Sequence, residues 1–212
     1  NRWLARQSRL RLDAEIVRDV ALSASGLFSD TVGGPGVFPP LPDGVMTLGQ
    51  VRREWKASTG PDRYRRGIYT FFWRSTPHPG LMVFDAPEGN SACTRRIRSN
   101  TPLQALTLLN DEGFFELAEG LARSVLRDGP ANEAERIEYA FRVCVSRPPK
   151  AAEVQRLREF LEQLLAENGS ISGPGAGAIP AQIGASQSSN ELAAWTTVAR
   201  VLLNLDETIT RE

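Results

Sequence analysis

The sequence predicts a mainly α fold, a single-domain helical bundle of about five or six helices with a long irregular central segment. Three observations predict it. Apolar residues recur at spacings of three and four in several separate blocks, as amphipathic helices require. Helix-start and helix-stop residues punctuate those blocks at matching positions. The Pro/Gly-rich tract from Gly33 and the stretch from Arg65 to Asn100 sustain no such period.

Taken in order, Leu10, Leu12, Ile16, Val17, Val20, Ala21 and Ala24 place the first helix over about Leu10–Ser25, with Gly26 near its end. Within it, Arg11 and Glu15 are spaced to attract, and Glu15 and Asp19 to repel. GGPGVFPPLPDG then opens an extended segment, residues 33–50, whose prolines restrict φ and remove amide donors, so that it wraps the surface. Tyr69–Trp73 and Leu81–Phe84 flank Thr-Pro-His-Pro-Gly. They read either as a short β-hairpin or as irregular backbone packed on helices, and the second reading is preferred.

Asn100-Thr101-Pro102 is a helix start, a capping side chain followed by a first-turn proline. That helix passes Leu109, breaks near Asn110 and continues through Phe114, Phe115, Leu117, Leu121 and Val125 to Gly129-Pro130. Asn132 caps the next, whose apolar face is Ile137, Ala140, Phe141 and Cys144, and Arg147-Pro-Pro stops it. Ala151–Asn168 forms another, paired with its predecessor as an antiparallel hairpin. Residues 169–189 are Gly/Ala/Ser/Pro/Gln-rich and read as a low-complexity flexible loop. A final helix covers about Asn190–Asn204.

The 212 residues carry 25 basic and 25 acidic side chains, so bulk charge argues against a nucleic-acid or membrane-surface partner. The distribution is uneven. Arg52–Arg98 holds ten basic residues against four acidic, and the chain from Thr101 onward holds sixteen acidic against ten basic. A basic middle beside an acidic helical half suggests internal complementarity first and an anion site second. One histidine and the two cysteines Cys93 and Cys144 make no zinc pattern and no disulfide framework, and no CxxCH is present to attach haem. No apolar run has the length of a membrane span. The chain begins directly on a helical pattern without Met or a signal-like segment, so it reads as a C-terminal piece, residues 1–212 forming one α-helical domain of a larger protein.

Chemistry-bearing side chains concentrate in Arg65–Asp111, on backbone that is irregular until Pro102, where function is most often carried. Arg95, Arg96 and Arg98 precede a helix N-terminus, whose free amides and partial positive charge favour an anion. Guanidinium groups add bidentate recognition of carboxylate, sulfate or phosphate. The competing structural reading, that these arginines clamp the acidic helices or Asp85, carries more weight, as it does for Arg66 and Arg65, which solvation alone would explain. Asp85 is a candidate acid/base and Cys93 a candidate thiolate beside positive charge, with buried pairing or an inert thiol as the plainer accounts. A Cys93–His78 pair is the only thiol–imidazole option, and His78 between prolines reads as an exposed turn residue. Tyr69 and Trp73 offer a stacking surface or fill the core with Phe71 and Phe72. Asn100 and Thr101 complete the candidate ligand-binding set.

The blocks NRWLARQSRLRLDAEIVRDVALSASGLF, YRRGIYTFFWRSTPHPGLMVFDAP, CTRRIRSNTPLQALTLLND, ERIEYAFRVCVSRPPKAAEV and AWTTVARVLLNLDETITRE resemble, in this order, a planctomycete-type C-terminal domain of unknown function. The resemblance implies an exported protein, periplasmic or at the cell surface, whose upstream domains are cytochrome c-like and hold any haem, with no cofactor in this segment. The expected role is a non-catalytic module that docks on the upstream domains or binds a small anion or anionic carbohydrate. The alternative is an enzyme, or part of a composite active site, using Asp85 as acid/base with Arg95 and Arg96.

Overall fold

A computed structural model describes Trp3 and residues 9–48, 53–166 and 189–211 of the chain. The fold is mainly helical. A two-stranded antiparallel pair joins β1 (Leu10–Arg11) to β2 (Thr210–Arg211) near the two ends, with Leu10 opposite Arg211. The helices are α1 (Ala14–Ser25), α2 (Pro79–Met82), α3 (Pro102–Asn110), α4 (Glu112–Asp128), α5 (Glu133–Val145), α6 (Ala151–Ala166) and α7 (Ser189–Leu203).

The first helix is shorter than its periodicity predicts. Leu10 and Arg11 are drawn into the strand pair, and Asp13 takes the N-cap position of α1. Arg11 consequently bonds Asp206 at 3.2 Å, not Glu15. Gly26 ends α1 in the left-handed region, φ 72°, a conformation open to glycine at little cost.

The break expected near Asn110 falls at Asp111. Its carboxylate accepts the amides of Gly113 and Phe114, which caps α4 and turns the chain between α3 and α4. Asn132 caps α5 through the Glu135 amide, also as its sequence position predicts. Thr101 does not cap α3 through its side chain, so the first turn of α3 relies on Pro102.

Helix α4 is the centre of the bundle and lies against α1, α3, α5 and α7. Its residues from Gly113 to Ala122 are all buried, because neighbours cover it on every side. Gly120 lets Leu27 and Ser25 approach the helix directly, as a Cβ there would meet Leu27 Cδ1 at 2.7 Å. Leu22, Leu117, Leu121, Ile137, Leu161 and Leu202 are among the fully buried side chains of one connected core. Each contributes roughly 1.5–3 kcal/mol of transfer free energy. Helix α6 packs on both α5 and α7, burying Leu161 and Leu164 while Leu165 stays exposed.

No hairpin forms from Tyr69–Trp73 and Leu81–Phe84. Gly67–Tyr69 is a 3₁₀ turn and Leu81 sits in α2. The segment is instead irregular backbone against α1, and isolated parallel bridges tie it to the chain after α1, Ser29 to Arg65, and to the proline tract, Val37 to Thr70. That tract is not wholly superficial. Residues 31–36 are exposed, while Val37, Pro39 and Pro40 are buried. The low-complexity segment 169–189 lies outside the described residues except for its last position.

Candidate functional site

The loop from Asp85 to Ile97 folds back on itself ahead of α3 and forms an open cleft of about 480 Å³. Asp85, Cys93, Arg95 and Arg96 all line it. Asp85 adopts φ 61°, the left-handed region that aspartate tolerates better than most side chains. This turns its carboxylate onto Ser99, whose amide and hydroxyl both donate to Asp85 Oδ2 at 2.7 Å. Asp85 is therefore held by Ser99 and not by an arginine.

Two of the three loop arginines are committed to helix α1. Arg96 donates from Nη1 to Glu15 Oε2 at 2.6 Å and from Nη2 to Glu15 Oε1 at 3.1 Å. The Glu15 carboxylate raises the Arg96 pKa above its ordinary value. Arg98 donates to Asp13 Oδ1 at 3.3 Å. Arg66 does the same for Asp19 at 3.1 Å, and the Gly67 amide takes the second Asp19 oxygen at 2.6 Å. The repulsion expected between Glu15 and Asp19 is thus relieved by two arginines from distant sequence. Arg95 is exposed and, among the described residues, has no ion-pair partner.

The remaining candidates are not gathered in the cleft. Arg66 borders a separate apolar groove beside Ile16, Phe28 and Val32. Asn100 and Thr101 line a third pocket with Gln104. Tyr69 receives the Gly33 amide on its hydroxyl at 2.9 Å and carries the Arg65 guanidinium over its ring at 4.0 Å. Trp73 lies in a ladder of rings, 4.8 Å from Phe71, which stacks on Phe38 at 4.9 Å. Arg53 covers Trp73 at 4.0 Å. These aromatics knit the loop to the proline tract and present no open stacking platform.

His78 is buried, 7% exposed, contrary to its reading as a turn residue. Its Nδ1 accepts the Gly80 amide at 3.1 Å, which leaves the proton on Nε2 to be donated to Pro40 O at 2.9 Å. Burial pushes its pKa down to about 4. It lines a niche of about 20 Å³ together with Arg18 and Asp111, away from Cys93. Burial also lowers the Arg18 guanidinium to about 10 and raises the Asp111 carboxyl. Cys93 and Cys144 are both free thiols, the first exposed and the second buried, and burial pushes Cys144 up to about 12.

Two charged residues are structural anchors: Arg65, which solvation was expected to explain, and Glu116, which sequence reasoning passed over. Arg65, 2% exposed, donates to the carbonyls of Gly33 and Pro35 and so closes the glycine turn. Glu116, 1% exposed, takes Arg63 Nε on both oxygens at 2.9 Å and the Tyr64 hydroxyl at 2.5 Å. Its position inside the apolar face of α4 was the available signal, since a buried carboxylate demands a cation.

A family model described as "Protein of unknown function (DUF1553)", PSD1, matches residues 1–161. The chain belongs to this family. No curated protein and no solved structure matches it. The PSD1 match includes the whole cleft, Arg18, His78 and every helix through α5. Among the described residues, no helix of this PSD1 domain is long and apolar enough to cross a membrane.

Proposed function

We propose that this chain is a non-catalytic docking or ligand-binding module of an exported multidomain protein with cytochrome-like domains upstream, and that it takes a small anion or acidic glycan at the arginine loop ahead of α3. Setting and upstream partners rest on the resemblance of the sequence blocks. The ligand-binding reading rests on one observation, the bidentate hold of Arg96 on Glu15. That contact fastens the cleft wall to α1 and leaves Arg95, among the described residues, as the cation on it without an ion-pair partner. A prearranged frame with one open guanidinium suits an anion, because little ordering is required on binding. The open apolar groove of Ile16, Phe28 and Val32 supports docking, since it borders the same helix α1.

The enzyme reading draws on the presence of Asp85, Arg95 and Arg96 in one cleft. It is disfavoured because Asp85 Oδ2 already accepts two Ser99 donors and the cleft contains no histidine.

The test is a thermal-shift series with phosphate, sulfate, acidic sugars and sulfated oligosaccharides at matched ionic strength, run on the wild type and on Arg95→Ala. A ligand that binds only the folded state raises the midpoint with its occupancy. A selective rise that disappears in Arg95→Ala is expected. No rise with any anion sinks the site, and turnover that vanishes in Asp85→Asn would favour the enzyme.

A further inference from the structure

A cavity of about 690 Å³ opens where the β1–β2 pair meets the turn between α5 and α6. This size is usual for small-molecule sites, roughly 300–1,000 Å³. It shares no lining residue with the arginine cleft. Four basic side chains, Arg9, Arg147, Lys150 and Arg211, line it together with one carboxylate, Glu207. Glu207 is already engaged by Arg147, whose Nε and Nη2 donate to its two oxygens at 2.6 and 2.8 Å. Glu153, which does not line the cavity, accepts from Nη2 and Nη1 of the same guanidinium at 2.8 and 2.9 Å. Arg147 is thereby fixed as a wall with its donors used up. Arg9 pairs with Asp206 at 3.6 Å. Lys150 and Arg211 are exposed, and neither forms an ion pair among the described residues. With Glu153 and Asp206 counted, four cations face three carboxylates, an excess of one positive charge.

The rest of the lining narrows the ligand class. Leu12, Val20 and Val145 are each half-buried, so part of their apolar surface is open to a ligand. Val20 also lines the groove of Ile16, Phe28 and Val32, so apolar surface continues out of the cavity along α1. The excess positive charge disfavours a cation. A small inorganic anion would leave the apolar lining in water, and an uncharged hydrocarbon would leave Lys150 and Arg211 unmatched. A molecule with one negative end and an apolar body meets both parts. A carboxylate carries the single charge that the excess calls for, and it accepts from an ammonium, a guanidinium and the Ser146 hydroxyl alike. Each methylene buried beside it strengthens binding about fourfold. We propose that this cavity binds an aliphatic monocarboxylate, its head held by Lys150 and Arg211 and its chain laid on Leu12, Val145 and Val20. The proposal is independent of the anion site in the arginine cleft.

Octanoate, acetate and 1-octanol are titrated into the intact chain at matched ionic strength, with the melting midpoint and binding heat as readouts. Acetate has the head without the chain, and octanol the chain without the charge. Octanoate is expected to raise the wild-type midpoint saturably, by about 3 °C at tenfold excess over Kd, and to bind at least about tenfold more tightly than either control. Three variants accompany the wild type. Lys150→Gln and Arg211→Gln break no ion pair, so they test the head contacts without disturbing the fold. Each is expected to weaken octanoate about threefold or more, and the double variant roughly tenfold. Arg95→Ala, in the arginine cleft, should leave octanoate binding unchanged. No saturable shift with octanoate overturns the proposal. So does octanol binding as tightly as octanoate, which would make the site purely apolar, or acetate doing so, which would make it a simple ion site. Octanoate binding unchanged in the double variant, or lost in Arg95→Ala, also overturns it, because the carboxylate would then lie elsewhere.

Discussion

Arg96 grips Glu15 with both arms of its guanidinium, at 2.6 and 3.1 Å, across 81 residues of chain. The contact fastens the loop ahead of α3 to the first turn of α1, and Asp13 lies within 3.9 Å of the same guanidinium. Both partners are partly exposed, 36% and 21% at the side chain, so solvent screens the pair. A double-mutant cycle of Arg96→Ala and Glu15→Ala should give a coupling of about 0.5–1 kcal/mol at low salt, shrinking as salt is added. A coupling of zero at every salt concentration would remove the clamp.

Glu116 carries a larger stake. It neutralises Arg63 inside the bundle and accepts the Tyr64 hydroxyl. Removing it leaves the partly buried Arg63 guanidinium with Glu112, 3.8 Å away, as its remaining counter-charge, so Glu116→Ala should cost about 2–3 kcal/mol in urea unfolding. Tyr64→Phe, which deletes one neutral donor, should cost about 1 kcal/mol. Equal losses for the two variants would contradict this ranking.

His78 makes stability depend on pH. Burial takes its pKa from 6.5 to about 4 in the folded chain. Between these values the unfolded chain binds a proton that the fold refuses. The stabilisation is therefore complete above pH 6.5 and declines as pH falls, by roughly 3 kcal/mol once pH 4 is reached. Asp111 in the same cluster works in the opposite sense. Burial raises its carboxyl, so protonating it at low pH favours the fold and offsets part of the decline. The difference in unfolding free energy between wild type and His78→Gln, followed from pH 7 to pH 4, should narrow on acidification. A constant difference would mean that His78 does not titrate with unfolding.

Gly67 sits directly on α1. A Cβ there would lie 2.5 Å from Glu15 O and 2.8 Å from Glu15 Cα, and backbone cannot rotate aside as a side-chain tip can. Gly67→Ala should destabilise by about 1–3 kcal/mol and loosen the Asp19 contact to the Gly67 amide. A neutral substitution would show that the turn and α1 can part without loss.

The two thiols should separate cleanly by reactivity. Cys93 is exposed, whereas Cys144 is buried with its pKa raised to about 12. An aromatic disulfide reagent at pH 8 should modify one thiol per native chain quickly and the second only on unfolding. Rapid modification of both would place Cys144 within reach of solvent.

The helices were legible in the sequence because their causes are local. The three-and-four spacing of apolar residues, the Asp111 and Asn132 caps and the glycines at 26 and 129 act within a turn or two of where they stand. The arginine cleft was legible as a concentration of charge, and its members Asp85, Cys93, Arg95 and Arg96 do share one cavity. What tertiary structure decided is who meets whom. Leu10 and Arg11 left the helical pattern because β2 supplied a pairing partner from the far end of the chain. His78 and Arg65 became buried because the proline tract, 30–40 residues away, folded over them. Asn100 and Thr101 parted from the cleft once Asn204 and Asp206 came up beside them. Periodicity and capping report the free energy of single segments. Burial and ion pairing depend on contacts between distant segments, and those exist only after the segments have packed.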